Sequence, residues 1–552
     1  MSPRTHIAVL GGGISGLSTA WYLARTAPSN VSISLFEGAR RTGGWLHSDR
    51  VNDPKHPGGS VLLERGPRSL RPQGVSGLNT LEMVKALSLE PEPVPKTSPA
   101  AMNRFIFSRK KMHKLPSTLM GALTHPLLAT KLPRAGLDLV KGSCKGDDES
   151  IQDFVTRRFG KGFSDDLISA MVHGIYAGDV SKLSVRSTFG MLYHLEKDYG
   201  SVALGLLMGG GAVETPWDLT LKEKIVKNMP ELKNFVDLTS IYSFKNGIEE
   251  LSRALEKDLS TNKRVTIHKE SHVDKLDFDL ADRNVRISIK GHNPVNVNSV
   301  ISALPSPKLQ NLLSNTYPEL THNPSVTVAV VNLVYESEKA QLESPGFGYL
   351  IPRSENSVVN HQGLLGVVFD SCAVPSQDSG PSRDKVLKLT AMIGGHMFDD
   401  VVAHQHQHEQ EQDQDHSGAS QSSSTVATKS HSNKNLESFF KDSAINAVKK
   451  HLHIDSTPEI VKVHINRDCI PQYFVGHLQR MQALDQTLRR DYDGLLAVTG
   501  AGYLGVSVND CIKNAREVAE DVVSKLEEED DGEAKLVGKQ EAITGLERSW
   551  FL

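Results

Sequence analysis

The N-terminal part of the chain alternates between apolar runs and polar or glycine-rich breaks. Residues 6–10 (HIAVL) form a short apolar run, residues 15–26 (SGLSTAWYLART) have helical spacing, and residues 31–37 (VSISLFE) alternate as a strand does. A glycine-rich turn separates the first two. The order strand, turn, helix, strand predicts a βαβ unit.

The pattern changes several times after this unit. It is helical between about 148 and 200, and it returns to strand, glycine turn and helix near the end of the chain. Strand-like alternation recurs at 264–276, 284–304, 325–335 and 364–370. These segments predict a second sheet that is inserted between parts of the first. Residues 404–434 are a low-complexity stretch rich in His, Gln and Ser, for which we predict disorder.

Composition narrows the classes of partner. The net charge of −3 over 552 residues gives no reason to expect nucleic acid. The four cysteines are widely spaced, with no disulfide framework and no CxxC pair, and we predict no metal site. Because residues 1–13 lead directly into a strand and a glycine turn, we expect neither a secretory export signal nor a cleavable presequence. No stretch reaches the roughly 18 uncharged apolar residues of a membrane helix, so we predict no membrane span.

The first turn carries a dinucleotide-binding motif. Gly11, Gly13 and Gly16 form GxGxxG between a strand and a helix, and Glu37 ends the next strand. The glycines permit the tight turn, the approach of a pyrophosphate to the backbone, and close packing of helix on strand. A carboxylate at the place of Glu37 can accept hydrogen bonds from both ribose hydroxyls. The motif alone does not separate NAD from FAD.

The residues after Glu37 favour FAD. In EGARRTGG, Arg41 and the pair Gly43–Gly44 follow the acidic residue closely. This pattern resembles the extension that the amine-oxidase-like flavoprotein superfamily carries after its Rossmann strand. Near the other end, Gly500, Gly502 and Gly505 lie between a strand and a helix. In that superfamily the last strand and helix return to the FAD domain, and the positive end of the helix dipole faces the flavin.

Longer blocks resemble the protoporphyrinogen oxidase family over nearly the whole chain. The most specific are GIYAGDVSKLSVRS (174–187) and GAGYLGVSVNDCI (500–512), and further blocks are ERGPRSLRP (64–72), MNRFIF (102–107), AVVNLVY (329–335), GFGYLIP (346–352) and DCIPQY (468–473). The resemblance implies an oxygen-dependent FAD oxidase that converts protoporphyrinogen IX to protoporphyrin IX in three two-electron steps and releases H2O2. The flavin accepts the hydride, and we predict no catalytic side-chain base.

The resemblance also assigns site residues. Arg104 would hold a substrate propionate, and the apolar walls around a pyrrole ring would be Phe347, Leu350 and Met392. The residues expected to bind FAD non-covalently are Gly11, Gly12, Gly13, Ile14, Ser15, Gly16, Glu37, Arg41, Gly43, Gly44, Trp45, Gly66, Pro67, Arg68, Ser69, Val273, Gly500, Val506, Ser507 and Val508. A porphyrinogen is a large apolar macrocycle with two carboxylates, which suits apolar walls and one or two cations.

The fold class that follows is α/β, with a Rossmann-type FAD-binding domain, an inserted mixed-sheet substrate domain and a mostly helical membrane-associating domain. The expected boundaries are 1–90, 213–280 and 481–526 for the FAD domain, 91–212 for the helical domain, 281–403 and 435–480 for the substrate domain, 404–434 for the disordered insertion and 527–552 for an acidic tail.

Membrane association and partners are expectations of the same kind. The segment 113–141 mixes leucines with cations, a pattern typical of a face that lies on anionic lipid or of a packed helix pair with a solvated side. The resemblance implies a peripheral protein of the mitochondrial inner membrane. It also suggests a homodimer, and transfer of the product to ferrochelatase.

Four alternatives remain open on sequence grounds. A flavin amine oxidase would use an aromatic cage, for which Tyr503 and Tyr473 are the candidates, and some link FAD to a cysteine such as Cys469. A carotenoid-type desaturase would need a long tunnel. A coproporphyrinogen-type oxidase would share most of the motifs. A non-enzymatic FAD protein would bind flavin without turning over any porphyrinogen.

Overall fold

The computed structural model describes residues 5–116, 125, 138, 146–211, 213–355, 360–405, 407, 428–530 and 542–552. Most of the predicted interfacial segment 113–141 and of the low-complexity segment 404–434 lies outside these residues.

Nineteen strands and eleven helices of eight or more residues build the described part of the chain. The strands are β1 Thr5–Leu10, β2 Val31–Phe36, β3 Ser48–Asn52, β4 Ser60–Glu64, β5 Glu92–Pro95, β6 Arg104–Ser108, β7 Lys111–Lys114, β8 Thr239–Ser243, β9 Val265–His268, β10 Val273–Asp279, β11 Asn284–Ile289, β12 Val295–Val297, β13 Ser299–Ser302, β14 Ser325–Glu336, β15 Gly348–Leu350, β16 Leu364–Val368, β17 Val386–Gly395, β18 Ile460–Pro471 and β19 Leu496–Val498. The helices are α1 Ile14–Thr26, α2 Gly74–Ala86, α3 Ile151–Phe159, α4 Ser169–Tyr176, α5 Gly190–Tyr199, α6 Pro216–Asn228, α7 Glu231–Leu238, α8 Glu249–Thr261, α9 Thr428–Leu452, α10 His477–Tyr492 and α11 Val508–Asp530.

A parallel five-stranded sheet forms the Rossmann-type core, with the strand order β19-β13-β1-β2-β9. Helix α1 is buried along Ile14–Ala24 and packs on α11 and α8. The predicted βαβ unit is confirmed as β1–α1–β2. The last strand and helix of the described chain, β19 and α11, return to the same core, as the superfamily pattern predicts. An antiparallel sheet of β10, β11 and β12 lies beside it.

The second large sheet is mixed and has seven strands, in the order β18-β14-β17-β16-β15-β6-β7. It is the substrate sheet that the sequence predicts. Apolar side chains of its rear face pack on α9 around Phe440 and Val448. Strands β6 and β7 belong to this sheet through the parallel pairing of β6 with β15. The predicted boundary of the helical domain at 91 therefore falls too early, because its first residues extend the substrate sheet.

Two further boundaries differ from the expectation. Helix α9 begins at Thr428, so the last residues of the segment predicted as disordered are helical. The segment 527–552, predicted as one acidic tail, consists of two parts with different structures. Helix α11 runs to Asp530, and residues 542–552 pack onto the core, where Leu546 is fully buried. The backbone N–H of Val498 donates to Thr544 O, which ties this end segment to β19.

The helical region contains α3, α4, α5 and the short helix Val202–Leu207. Its core includes Phe154, Val172 and Leu183. The short helix leaves large apolar side chains in solvent, with Leu207 81% and Met208 67% exposed. Among the described residues, no helix has both the length and the apolar character to cross a bilayer.

Candidate functional site

The turn after β1 is shaped for a pyrophosphate. A Cβ on Gly16 would lie 1.8 Å from Gly11 O, so only glycine permits α1 to start this close to β1. A Cβ on Gly13 would meet only Gly44 Cα, at 3.9 Å, so Gly13 borders open space. Helix α1 has no side-chain cap at Gly13. The N–H groups of Ile14, Ser15 and Gly16 therefore remain available to an anion.

Glu37 stands at the end of β2 beside this turn. Its two carboxylate oxygens accept hydrogen bonds from the backbone N–H groups of Gly12 and Ala39, each at 2.7 Å. Each oxygen keeps lone pairs for a ribose hydroxyl. The chain before β10 crosses the same place, since the N–H of Ser271 donates to Glu37 O. Val273 thereby starts β10 next to Glu37, at the end where adenine is expected.

The double glycine closes over the first turn. The N–H of Gly43 donates to Gly12 O at 2.7 Å, and Gly13 and Gly43 form an isolated parallel bridge. The guanidinium of Arg41 donates to the carbonyls of Thr42, Gly44 and Leu46. Arg41 thus braces the loop that carries Gly44, in addition to placing a positive charge near the turn.

The last glycine loop is held from behind by side chains that sequence reasoning did not assign as braces. Tyr473 Oη donates to Ala501 O at 2.6 Å and accepts the N–H of Gly505 at 2.8 Å. The Tyr473 ring stacks on His477, whose Nε2–H donates to Tyr503 O at 2.5 Å. Burial lowers the pKa of His477 to about 3, so it is neutral and can accept from Asn323 at Nδ1.

The start of α11 follows this loop. Ser507 Oγ accepts the N–H of Asp510 at 3.1 Å and caps the helix. Asp510 in turn accepts the hydroxyl hydrogens of Ser507 and Ser76. Val506 and Val508 flank the cap and anchor it in two hydrophobic clusters. These contacts fix the positive end of the α11 dipole at the cleft.

The stretch Gly66–Ser69 joins the Rossmann core to the front face of the seven-stranded sheet. Gly66 lies so close to Trp45 O that an added Cβ would approach it to 3.0 Å. Arg68 is buried, and its Nη1 donates to Asp370 Oδ1 at 2.5 Å. The side chain of Asn466 on β18 donates to Arg65 O at 2.6 Å. The predicted cofactor stretch and the predicted substrate sheet are therefore in direct contact.

A row of residues in register crosses the front face of that sheet. Leu350 lies opposite Gly366, Gly366 opposite Met392, and Met392 opposite Val330. Opposite residues share a face, so the predicted walls Leu350 and Met392 belong to one surface. Gly366 leaves room for Leu350, because an added Cβ would come within 2.9 Å of Leu350 Cδ2.

Arg104 starts β6 on the same face, opposite Gly348. Its side chain is exposed. A second cation, Arg71, lies near it. Partial desolvation and the positive charge of Arg104 lower the pKa of Arg71. Sequence reasoning missed Arg71, although it stands in the quoted block ERGPRSLRP. Phe347 does not lie in the row. It precedes β15 and packs on Val94, Ala100 and Ile241.

The features of an amine oxidase are not assembled at this site. Tyr503 and Tyr473 are each 2% exposed and lie behind the glycine loop. They cannot form an aromatic cage that faces a substrate. Burial raises the pKa of the Cys469 thiol to about 11, which disfavours the reactive thiolate form.

The residues present fit a dinucleotide with a buried ring. They supply free helix N–H groups, an acidic residue at the ribose end and a glycine-lined path toward Arg68. Sequence reasoning also missed Asp370, Thr390 and Asn332, which contact Arg68 or one another and lie far from it in the chain. Within the described ranges no group of three or more His, Cys, Asp or Glu side chains could hold a metal ion.

Comparison with known proteins gives consistent results. The family model for flavin containing amine oxidoreductase matches residues 14–523. Protoporphyrinogen oxidase of Schizosaccharomyces pombe is 33% identical over 536 residues, covering 94% of this chain and 99% of that protein. The Homo sapiens protoporphyrinogen oxidase is 33% identical over 525 residues, covering 94% and 98%. Coproporphyrinogen III oxidase of Staphylococcus aureus is 25% identical, with 94% and 99% covered.

Solved structures show the same fold. A putative protoporphyrinogen oxidase from Exiguobacterium sp. 255-15 superimposes with a TM-score of 0.67 at 20% identity, covering 94% of this chain and 99% of that chain. A redesigned putrescine oxidase superimposes with a TM-score of 0.58 at 12% identity, covering 94% and 99%.

Proposed function

We propose that this chain, which belongs to the flavin-containing amine oxidoreductases and among them to the protoporphyrinogen oxidases, oxidises protoporphyrinogen IX to protoporphyrin IX in haem biosynthesis. The cofactor is FAD, held non-covalently. Molecular oxygen is the electron acceptor and H2O2 the second product. The observation that carries the proposal is the contact between a dinucleotide cradle and an apolar sheet face with two cations.

FAD suits the cradle for reasons that lie in single residues. The free N–H groups at the start of α1 suit a pyrophosphate, and the oxygens of Glu37 suit an unphosphorylated ribose. The path beyond Gly44 continues to Gly66 and Arg68, which leaves room for a ring system beyond the ribose. The raised pKa of Cys469 supports a cofactor without a covalent link.

The substrate face suits a large apolar ring that carries carboxylates. Leu350 and Met392 are partly exposed and lie in register with the buried Val330 on one apolar face of the sheet. Arg104 and Arg71 lie near one another without a side-chain partner among the described residues, so they repel each other until an anion binds. Two propionate groups on one ring satisfy two such cations. An amine substrate would be repelled by them.

When bound along the glycine cradle, FAD would supply the redox chemistry as a two-electron acceptor for the porphyrinogen. The protein chain binds and orients the porphyrinogen and excludes water from the site. Arg104 and Arg71 would fix the carboxylate edge, and the apolar row would set the distance of the macrocycle from the cofactor. No side chain is assigned as a base, because the pyrrole N–H groups can release protons to water after each of three rounds.

We further propose a peripheral location at the mitochondrial inner membrane. The exposed apolar side chains of the short helix Val202–Leu207 and of Met208 support a membrane-facing surface on the helical region. A porphyrinogen that partitions into lipid would reach the substrate face from there. A homodimer and transfer of the product to ferrochelatase belong to the same proposal.

The test is turnover of purified protein in air, followed by porphyrin fluorescence with protoporphyrinogen IX and coproporphyrinogen III and by H2O2 release with these two substrates and with putrescine. We expect fluorescence and H2O2 with protoporphyrinogen IX, and slower or no reaction with the other two substrates. Arg104→Ala and Arg71→Ala should each raise KM by about tenfold, because a charged hydrogen bond to a carboxylate is lost, with a smaller change in kcat.

Arg283→Ala is the matched control, since Arg283 is exposed and pairs with Asp493 at the C-terminal end of α10. It should leave KM unchanged. Bound FAD without oxidation of either porphyrinogen would refute the assignment. Faster turnover of coproporphyrinogen III would change the substrate and keep the reaction type.

A further inference from the structure

A chain of buried polar side chains connects Arg68 to the substrate sheet. Arg68 Nη1 donates to Asp370 Oδ1 at 2.5 Å, and Thr390 Oγ1 donates to Asp370 Oδ2 at 2.6 Å. Asn332 Nδ2 donates to the same Thr390 Oγ1 at 2.9 Å and to Glu64 O at 3.2 Å. Arg68, Thr390 and Asn332 are all more than nine-tenths buried.

This relay has two unsatisfied ends. In the described part of the chain, Arg68 Nη2 and Asn332 Oδ1 are buried without a hydrogen-bond partner. A buried charged donor without a hydrogen-bond partner destabilises the folded state, so its presence needs a functional explanation. Arg68 is the buried member of the stretch Gly66–Ser69, whose other members are partly exposed. A guanidinium under this stretch is a fixed positive charge at the ring end of the dinucleotide site.

We propose that Asp370 is a positioning residue that, with Thr390, fixes the Arg68 guanidinium beneath the ring end of the bound flavin. The Arg68 charge then stabilises the extra negative charge that the ring acquires when it is reduced. Asp370 offsets part of that charge and prevents the arginine from turning away. The pair therefore sets how readily the flavin is reduced, which bears on every oxidation round. This inference rests on the proposed binding of FAD.

The relay predicts opposite signs for its two charges. Asp370→Asn removes a negative charge, leaves Arg68 uncompensated, and should raise the flavin reduction potential. Arg68→Met removes the positive charge and should lower it. Asp370→Glu and Arg68→Lys retain the charges and should move the potential back toward that of the wild type. A purely structural role would not reverse sign with the sign of the deleted charge.

The experiment is a redox titration of the FAD-loaded protein and its variants, with FAD affinity measured by reconstitution of apoprotein. We expect about tenfold weaker FAD binding for Asp370→Asn, in addition to the raised potential. If Asp370→Asn does not retain FAD, the comparison of Arg68→Met with Arg68→Lys tests the same sign.

Asp378→Asn is the matched control. Asp378 is more deeply buried than Asp370, with its side chain 3% exposed against 16%, and it pairs with Lys388 of the same sheet at 2.8 Å without a hydrogen bond to Arg68. It should lower thermal stability and move the potential much less than Asp370→Asn does. Shifts of the same sign for Asp370→Asn and Arg68→Met, or no shift in either, would overturn the inference. Because no porphyrinogen is used, a protein that binds no FAD at all would instead contradict the proposed function.

Discussion

The two ends of the dinucleotide site are built by different means. The phosphate end consists of backbone, because Gly16 lets α1 start against Gly11, Gly13 borders open space, and the first N–H groups of α1 have no side-chain cap. The ring end consists of buried side chains, with Arg68 held by an aspartate 302 residues away in the chain. The first end depends on the absence of side chains, and the second on a network of them.

This difference determines which substitutions and conditions disrupt each end of the site. A backbone cradle fails by steric overlap, and it is insensitive to pH because its donors are amides. A network of buried charges fails by loss of a partner, and it responds to pH through groups such as Glu64, whose pKa burial raises to about 7.

The largest effect is expected at the phosphate end, from Gly16→Ala. Its Cβ would lie 1.8 Å from Gly11 O, and the clash is with backbone that β1 and α1 hold in place. We expect a loss of roughly 3 kcal/mol or more in the free energy of unfolding, and no FAD binding. Thermal unfolding and flavin content of the purified protein measure both.

Two glycines serve as controls for this substitution. Gly13→Ala meets nothing closer than Gly44 Cα at 3.9 Å, so the apoprotein should be as stable as the wild type while FAD affinity falls. Gly190→Ala, where an added Cβ meets no atom within 4 Å, should change neither quantity. If Gly13→Ala destabilised the apoprotein as much as Gly16→Ala, the division between the packing glycine and the ligand-facing glycine would be wrong.

The same contrast explains what the sequence could predict. GxGxxG, Glu37 and the double glycine are local patterns, and each glycine has a steric reason that requires only its neighbours in the chain. The βαβ unit and the strand β14 followed from periodicity in the same way. The strands β6 and β7 were not predicted and fell within the helical domain expected at 91–212, because parallel pairing of Arg104–Ile106 with Gly348–Leu350 leaves no local signal.

The ring end could not be predicted from spacing. Asp370, Thr390 and Asn332 lie on three different elements, and a polar residue within a strand pattern usually indicates a solvated face. Only the register of β14 against β17, which places Asn332 opposite Thr390, brings them together. Tyr473 and Tyr503 show the reverse case, because sequence reasoning offered them as cage residues and tertiary packing buries both.

The next effect in size concerns Glu64 at the ring end. Its folded-state pKa of about 7 lies above the ordinary value of 4.5, so between these values the folded protein holds a proton that the unfolded chain releases. Stability contributed by this group is therefore lost as pH rises from about 4.5 to about 7, and it is constant above that. Glu64→Gln should gain stability relative to the wild type by at most about 3 kcal/mol between pH 5 and pH 8.

Chemical unfolding at the two pH values tests this. The glutamine can keep both contacts of Glu64, by accepting from Ile248 N–H and donating to Ser48 Oγ. Gly13→Ala, at the backbone-built end, should show the same stability relative to the wild type at pH 5 and pH 8. A pH-independent difference for Glu64→Gln would show that the ring end is no more sensitive to protonation than the phosphate end.

The smallest effect refines the comparison at the last glycine loop, where backbone and side chain meet. Tyr473 Oη binds both Ala501 O and Gly505 N–H, so Tyr473→Phe leaves two backbone groups of a ligand-facing loop without a partner. We expect a loss of about 1 kcal/mol in stability and a few-fold weaker FAD binding, with turnover retained once FAD is saturating.

Tyr503→Phe removes a buried hydroxyl that has no hydrogen-bond partner among the described residues, and it should be neutral or slightly stabilising. Because the two tyrosines are equally buried, the difference between them isolates the brace from general packing. If Tyr503→Phe abolished turnover with FAD bound, the ring would face the substrate after all, and the amine-oxidase arrangement would have to be reconsidered.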